Sequence, residues 1–136
     1  MPMDNQIEIT KYDENGYKTL VTFEGWRVAF MNDGPKTNID GLSYFQKHDE
    51  SDEVFVLLKG KCVLLLAGLG DVPGEIKAVD MKPHTMYNIK KCVWHTHYFA
   101  PDTQVLIVEN ADTGLENSPI INLTKEQKKI IAELCK

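Results

Sequence analysis

Residues 46–61 read QKHDESDEVFVLLKGK, a charged segment that runs directly into an apolar one. Six of the first eight side chains are ionisable, and an apolar run at 54–58 and a glycine at position 60 follow at once. Apolar residues on consecutive positions are typical of a strand that is covered on both faces. The stretch predicts a buried β-strand entered from a polar loop. It leaves open whether His48 and Glu53 belong to that solvated loop or to a site.

The same pattern of short apolar runs between turn residues extends over most of the chain. Asn15-Gly16 tolerates positive φ and predicts a hairpin between the first two runs, and Lys59-Gly60 predicts a second tight hairpin. Residues 68–75 predict a loop between hairpin strands. Many short strands indicate a closed barrel or a double-sheet roll. Besides 54–58, we predict strands at 7–12, 17–23, 26–31, 42–46, 62–67, 76–81, 85–89, 93–98 and 104–109.

Only the C-terminal end, residues 124–135, has a helical pattern. Thr124 is a favourable N-cap, and Gln127 at the third position after it completes a capping box. An apolar stripe follows at Ile130, Ile131 and Leu134, which is the spacing of one helix face. We therefore predict a short helix that packs on the outside of the β-domain.

The composition limits the classes of partner and compartment. The chain has 136 residues, the size of one domain, and we predict a single domain over 1–136. A net charge of −5 argues against nucleic acid or an anionic membrane as partner. No signal peptide and no apolar run of about 20 residues are visible, which favours a cytoplasmic protein. Free thiols are expected at three unpaired positions, Cys62, Cys92 and Cys135.

Histidines and a carboxylate are the candidate chemical groups. On a strand, alternate side chains share a face, so His48 would point with Tyr44 and Gln46. A second cluster, KKCVWHTHYF at 90–99, places His95 and His97 on one face. Two imidazoles and one carboxylate from separate strands can bind a divalent metal and leave positions open for water or substrate. The alternative is that these groups only form hydrogen bonds in the core or at the surface.

Aromatic side chains near these clusters are candidates for the pocket wall, against the alternative of plain core packing. Tyr44 and Phe55 would face the pocket, whereas Trp94 alternates with His95 and would face away. We assign Trp26 to the core or to a subunit interface. His84 follows a proline between two predicted strands and is expected in a surface loop.

Taken together, the two clusters resemble the motifs of the cupin family, over roughly residues 20–110. The segment HDESDEVFVLLKG is similar in sequence to the corresponding segment of small single-domain cupins. The resemblance implies a jelly-roll barrel of the RmlC-like type with a pocket at one mouth, to which the predicted C-terminal helix is added. The first motif would occupy Gln46, His48, Glu53 and Gly60, and the second Lys90, Cys92 and His95.

The resemblance also implies a ligand set. In metal-binding cupins the matching positions hold iron, zinc, manganese or nickel, which assigns His48, Glu53 and His95 as ligands. Gln46 departs from the motif, which has a histidine there, and an amide oxygen is a weak ligand for iron or zinc. His97 either lines the pocket or takes part in binding. Cys92 stands where the motif has a turn glycine and is either a reactive thiolate or a buried filler.

Two functions follow as hypotheses. In the first, the protein is a metal-dependent enzyme of isomerase, lyase or dioxygenase type that acts on a small polar metabolite, such as a sugar derivative or a carboxylic acid. In the second, it is a metal-free small-ligand-binding or sensory module. The resemblance and the apolar runs on both strand faces further predict a homodimer.

Overall fold

The computed structural model of the chain describes residues 6–136; residues 1–5 of the predicted domain lie outside them. The regular structure of the described part consists of ten β-strands, one 3-10 turn and one C-terminal helix. The first five strands are β1 Gly16–Phe23, β2 Trp26–Asn32, β3 Tyr44–Gln46, β4 Glu53–Lys59 and β5 Cys62–Leu66. They are followed by β6 Lys77–Asp80, β7 Met86–Ile89, β8 His95–Phe99, β9 Gln104–Asn110, a 3-10 turn Leu115–Asn117, β10 Ile120–Asn122 and α1 Lys125–Leu134.

The strands form two antiparallel sheets of five. The first has the order β1-β2-β9-β4-β7, and the second has the order β10-β3-β8-β5-β6. Consecutive strands therefore often lie in different sheets, as in a jelly roll, and the predicted double-sheet roll is confirmed. Among the helices of residues 6–136, none is long and apolar enough to cross a membrane.

The apolar residues form two clusters on opposite faces of the second sheet. The first cluster lies between the sheets and includes Phe55 from β4, Leu64 from β5 and Ile107 from β9. The second lies on the other face of the second sheet, where Leu65 and Trp94 pack against α1. Because β5 contributes alternate residues to both clusters, it is buried on both faces, as its uninterrupted apolar run predicts.

The predicted first hairpin is wrong. Residues 7–12 form no strand, and Gly16, with φ of 89°, begins β1 rather than turning between two strands. The hairpin partner of β1 is β2, and Phe23 pairs directly with Trp26 across the turn. Residues 7–12 are mostly exposed, so no sheet edge buries their apolar side chains.

The turn at Lys59-Gly60 is real, but it does not make a hairpin. β4 pairs with β7 and β9, whereas β5 pairs with β6 and β8, so the turn carries the chain from one sheet to the other. Gly60 has φ of 84°, and a Cβ atom there would lie 2.6 Å from the carbonyl oxygen of Asp102 and closer still to Thr103 Oγ1. Glycine is therefore required for backbone conformation and for space.

The C-terminal helix begins as predicted. Thr124 Oγ1 accepts a hydrogen bond from the Gln127 amide at 3.0 Å, and the Gln127 side chain accepts one from the Thr124 amide at 2.9 Å. Of the apolar stripe only Ile131 is buried; Ile130 and Leu134 are partly exposed. Trp26 is 45% exposed beside Phe23, which excludes it from the core.

Candidate metal centre

Three residues that are distant in sequence meet at one end of the space between the sheets. His48 follows β3, Glu53 begins β4 and His95 begins β8, and all three are buried. Glu53 Oε1 lies 3.1 Å from His48 Nε2 and 3.1 Å from His95 Nε2. The two imidazole rings are 5.1 Å apart between centroids. The structure thus brings together the three residues that the cupin resemblance assigns as ligands.

The outer nitrogen of each imidazole has its own partner. His95 Nδ1 lies 3.0 Å from the carbonyl oxygen of Val93, which can only accept, so the proton is on Nδ1. His48 Nδ1 lies 2.7 Å from Ser118 Oγ, whose own hydrogen goes to Asn117 Oδ1 at 3.3 Å. In the neutral form set by these partners, each imidazole would carry its proton on Nδ1 and leave the Nε2 lone pair on the side of Glu53 for a metal ion. This is the arrangement of metal-binding histidines, whose outer nitrogen donates to a nearby acceptor.

Two nitrogen acceptors facing one carboxylate require a positive charge between them. Burial alone would raise the pKa of Glu53, but hydrogen bonds from His48 and His95 outweigh it and hold that pKa well below its usual range. Burial opposes the charged form of His95, yet Glu53 outweighs it and raises the pKa of that imidazole. A proton on an imidazole satisfies the cluster, and so does a metal ion.

The donor set itself fits a divalent transition metal. One ligand atom from each of His48, Glu53 and His95 lies within 4.8 Å of the others. Two imidazole nitrogens and one carboxylate oxygen suit zinc, iron, manganese or nickel better than calcium or magnesium, which prefer oxygen ligands. Gln46, opposite His95 in the pairing of β3 with β8, lines the same cavity.

The sequence analysis missed a second polar group beside this cluster. Glu109 on β9 is the direct register partner of Glu53 on one side and of Arg27 on the other. Its Oε2 accepts hydrogen bonds from Tyr17 Oη at 2.7 Å and from Arg27 Nη2 at 2.7 Å. Burial and the charge of Glu53 raise the pKa of Glu109. Burial and Glu109 together raise the pKa of Tyr17 far above its usual value, so the phenol remains a donor.

The alternation of β9 could have revealed Glu109. Val105 and Ile107 are both buried and point the same way, and Glu109 is two residues further along that face. A carboxylate at the end of a core-facing series is a signal for a buried polar site. Arg27 offered no comparable signal, because its proximity to Glu109 depends on the register of β2 with β9.

These groups line one cavity of about 340 Å³, within the range of about 300–1,000 Å³ that is typical of small-molecule sites. Tyr44, Gln46 and His97 lie in its wall, together with the three candidate ligands. Phe55 does not line it: its side chain is fully buried beneath the cavity, with its ring 5.6 Å from that of His97.

His97 lines the cavity without joining the three-residue cluster. Its ring lies between Phe55 and Phe99, with centroid distances of 5.6 and 5.2 Å, and its Nδ1 is buried without a hydrogen-bond partner. Burial lowers the pKa of His97 to about 4, so the ring is neutral at physiological pH.

Two features of the neighbouring loops support the cluster. Cys92 occupies the predicted turn-glycine position with φ of 70°, and its amide donates to the His48 carbonyl at 2.8 Å. Asp52, in the polar loop before β4, accepts hydrogen bonds from Lys90 Nζ at 2.9 Å and the Lys91 amide at 2.8 Å. These contacts tie the segment before β4 to the segment before β8. His84 is exposed in a loop, as predicted.

Comparison with solved structures identifies the fold. A cupin-2 domain protein from Shewanella frigidimarina matches with a TM-score of 0.52 and 16% identity, over 73% of this chain and 84% of that one. Streptomyces PAC13 with uridine matches with a TM-score of 0.61 and 10% identity, over 88% of this chain and 98% of that one. Pac13 is a nucleoside dehydratase.

A third similar structure is the QdtA 3,4-ketoisomerase of Thermoanaerobacterium thermosaccharolyticum in complex with TDP. It matches with a TM-score of 0.56 and 19% identity, over 79% of this chain and 73% of that one. No family model and no curated protein matches the chain in sequence. The chain has the cupin jelly-roll fold, which confirms the fold that the motif resemblance implies.

Proposed function

We propose that this protein is a metal-dependent cupin enzyme that binds a small polar metabolite, with His48, Glu53 and His95 as ligands of one divalent transition metal. The observation that carries the proposal is the convergence of two Nε2 atoms on Glu53 Oε1 at 3.1 Å each. The outer nitrogens are already occupied by Ser118 and Val93, so both imidazoles are held with Nε2 inwards.

The reaction class that we favour is proton transfer on a sugar derivative, as in an isomerase or lyase. Supporting it, a 3,4-ketoisomerase and a nucleoside dehydratase share the fold. A bound metal would polarise a carbonyl or hydroxyl oxygen of the metabolite. His97, the cavity imidazole outside the cluster, is the group that we assign to accept or return the proton. Ile107 contributes an apolar side chain to the wall of this cavity.

A metal-free small-ligand-binding module is the second candidate. Gln46 favours it, because this position lies opposite His95 and offers an amide where the cupin motif has a histidine. A proton shared between Glu53 and the two imidazoles would then satisfy the cluster without a metal.

Metal analysis decides between the two. We would purify the untagged protein without chelators and measure its metal content by elemental analysis, before and after incubation with iron, zinc, manganese or nickel. We expect near-stoichiometric metal in the wild type and its loss in His48→Ala. His84→Ala, which removes an exposed loop histidine, is the matched control. A wild-type protein that binds none of the four metals would contradict the metalloenzyme and leave the binding module.

A further inference from the structure

The buried polar atoms without a partner are concentrated in one place. Among residues 6–136, the buried side-chain atoms that lack a hydrogen-bond partner are His97 Nδ1, Glu109 Oε1 and Thr113 Oγ1. All three residues line the cavity beside the candidate metal centre. Buried polar groups are nearly always hydrogen-bonded, so these atoms mark where water in the free protein, or a ligand, completes the bonding.

Glu109 is held through one oxygen only. Its Oε2 accepts three hydrogen bonds, from Tyr17 Oη and from the Nε and Nη2 atoms of Arg27, at 2.7, 3.1 and 2.7 Å. Arg27 is fixed in turn by a bond from Nη1 to the Ala111 carbonyl at 3.3 Å. The carboxylate is therefore oriented by its outer oxygen and leaves Oε1 available. An ionised carboxylate oxygen can only accept, so Oε1 needs a hydrogen-bond donor, which is water in the free protein or a group of the ligand.

The charges around Oε1 disfavour an anionic ligand. The guanidinium of Arg27 is already paired with Glu109, and the next carboxylate in register is Glu53. Lys36, the remaining cationic side chain of the wall, is exposed. A metabolite carboxylate or phosphate placed against Oε1, rather than on the metal, would therefore be repelled by Glu109, whose cationic partner Arg27 is already engaged. A neutral group that donates a hydrogen bond meets no such opposition.

Glu109 does not belong to the metal cluster. Within residues 6–136, the set of ligand atoms that lie within 4.8 Å of one another comes from His48, Glu53 and His95. Glu109 Oε1 is 4.0 Å from His48 Nε2, which places it beside the cluster. A group bound at Oε1 would thus lie next to a metal-bound atom of the same ligand.

Thr113 offers a ligand a second hydrogen-bonding group, a hydroxyl rather than a carboxylate. The residue is 7% exposed, and its hydroxyl can both donate and accept. A carboxylate acceptor and a hydroxyl in one wall match the hydroxyl groups of a sugar ring, each of which can donate and accept.

We propose that Glu109 Oε1 and Thr113 Oγ1 bind hydroxyl groups of a neutral sugar ring, so that this cavity selects glycosides or nucleosides over sugar acids. This proposal rests on the proposed function, which makes the cavity the binding site of the metabolite. It narrows the chemical class of that metabolite from any small polar compound to a neutral polyol. Glu109 is in this assignment a substrate-binding residue that sets specificity.

The test is isothermal titration of the metal-loaded protein with two matched pairs of probes. The first pair is uridine and 2′,3′-dideoxyuridine, which lacks both ring hydroxyls. The second pair is methyl α-D-glucopyranoside and its C6 carboxylate, methyl α-D-glucuronoside. We expect the hydroxylated or neutral member of at least one pair to bind roughly tenfold tighter or more, since a charged acceptor is involved.

Two variants assign that preference to the named side chains. Glu109→Gln keeps the shape and is expected to remove most of the preference. Thr113→Val, which removes one hydroxyl without changing the shape, should reduce binding of the preferred probe about three- to tenfold. Thr22→Val, at an exposed position of β1, is the matched control and should change nothing.

The possible outcomes distinguish a failure of the sugar-binding proposal from a failure of the proposed metal centre. If no probe binds at millimolar concentration, or if both members of each pair bind equally, the sugar assignment is overturned while the metal content stands. If Glu109→Gln loses its metal, Glu109 is a ligand and the assignment is also overturned. Probe preference in a protein that binds no metal would support the sugar site and reject the metal centre.

Discussion

Glu53 and Glu109 lie directly opposite each other in the pairing of β4 with β9, so two buried carboxylates are neighbours in one sheet. Like charges in this position destabilise a sheet unless each has its own partner. Glu53 faces the imidazoles of His48 and His95, and Glu109 faces Arg27 and Tyr17. Hydrogen bonds from the two imidazoles lower the pKa of Glu53, whereas burial and the charge of Glu53 raise the pKa of Glu109.

Replacing Glu53 tests the centre of the cluster. Glu53→Gln removes the charge that both Nε2 atoms face, and we expect the metal to be lost. In the metal-free protein we expect a decrease of roughly 1–3 kcal/mol in the free energy of unfolding, because a buried hydrogen-bonded charge is removed. Metal content and urea unfolding measure the two effects. Glu50→Gln, at an exposed position of the same segment, is the control; wild-type metal binding in Glu53→Gln would contradict the assignment.

Ser118 is predicted to act through His48. Its Oγ fixes the Nδ1 proton at 2.7 Å and thereby turns Nε2 inwards. We expect Ser118→Ala to weaken metal binding about 10- to 100-fold, the usual effect of removing such a partner. Competition with a chelator of known affinity measures the change. Ser43→Ala, in the same cavity wall, should bind metal like the wild type; equal losses in both variants would refute a specific role.

The hydrogen bonds of Asp52 predict that the protein loses stability at acidic pH. Bonds from Lys90, the Lys91 amide and Asn88 lower the pKa of Asp52 from 3.8 to about 2. A lowered pKa in the folded state contributes stability that is fully present above pH 3.8 and is lost as the pH falls through about 2. We therefore expect Asp52→Asn to be less stable than the wild type at neutral pH.

The difference in stability between Asp52→Asn and the wild type should disappear in acid, because the wild-type carboxyl is also neutral there. Urea unfolding of both proteins at neutral pH and at successively lower pH values measures it. Asp71→Asn, in the exposed 68–75 loop, serves as the control for loss of one surface charge. A stability gap that is independent of pH would show that the contribution of Asp52 is not electrostatic.

Gly60 is predicted to tolerate no side chain. Gly60→Ala introduces a Cβ atom at a φ of 84° and within 2.6 Å of the Asp102 carbonyl oxygen. We expect a loss of roughly 1–3 kcal/mol, the range for strained backbone positions, measured by thermal or urea unfolding. Gly25→Ala is the control, because a Cβ atom there meets nothing within 4 Å. Equal stability of the two variants would contradict the steric argument.

The strand pattern was readable from the sequence because β4, β5 and β9 follow apolar runs closely. Only β5 is buried on both faces, whereas buried and partly exposed residues alternate along β4 and β9. Pairing was not readable: Lys59-Gly60 has the turn chemistry of a hairpin, yet its two strands join different sheets. Likewise Asn15-Gly16 predicted residues 7–12 as the partner of β1, whereas β1 pairs with β2. Turn residues specify local backbone conformation, whereas partner choice depends on burial across the whole domain.

The candidate site also contains some residues that the sequence predicts and others that depend on strand pairing. The meeting of His48, Glu53 and His95 was predictable because a motif fixes their spacing within two short stretches. Glu109 and Arg27 were missed because they meet only through the register of three strands, β2, β9 and β4. Phe55 was misplaced for a related reason: it shares a strand face with Glu53, but the cavity ends before it and core packing begins.

His48 is also the place where three stretches of chain are joined. Its carbonyl accepts from the Cys92 amide, its imidazole is bonded to Ser118, and the next amide, that of Asp49, donates to the Asn117 carbonyl at 2.9 Å. Anything bound to this imidazole therefore adds its binding free energy to the local folding of all three stretches. Occupancy of the site would slow the local opening of the loops at 48–53, 90–95 and 113–119 together, as one cooperative unit.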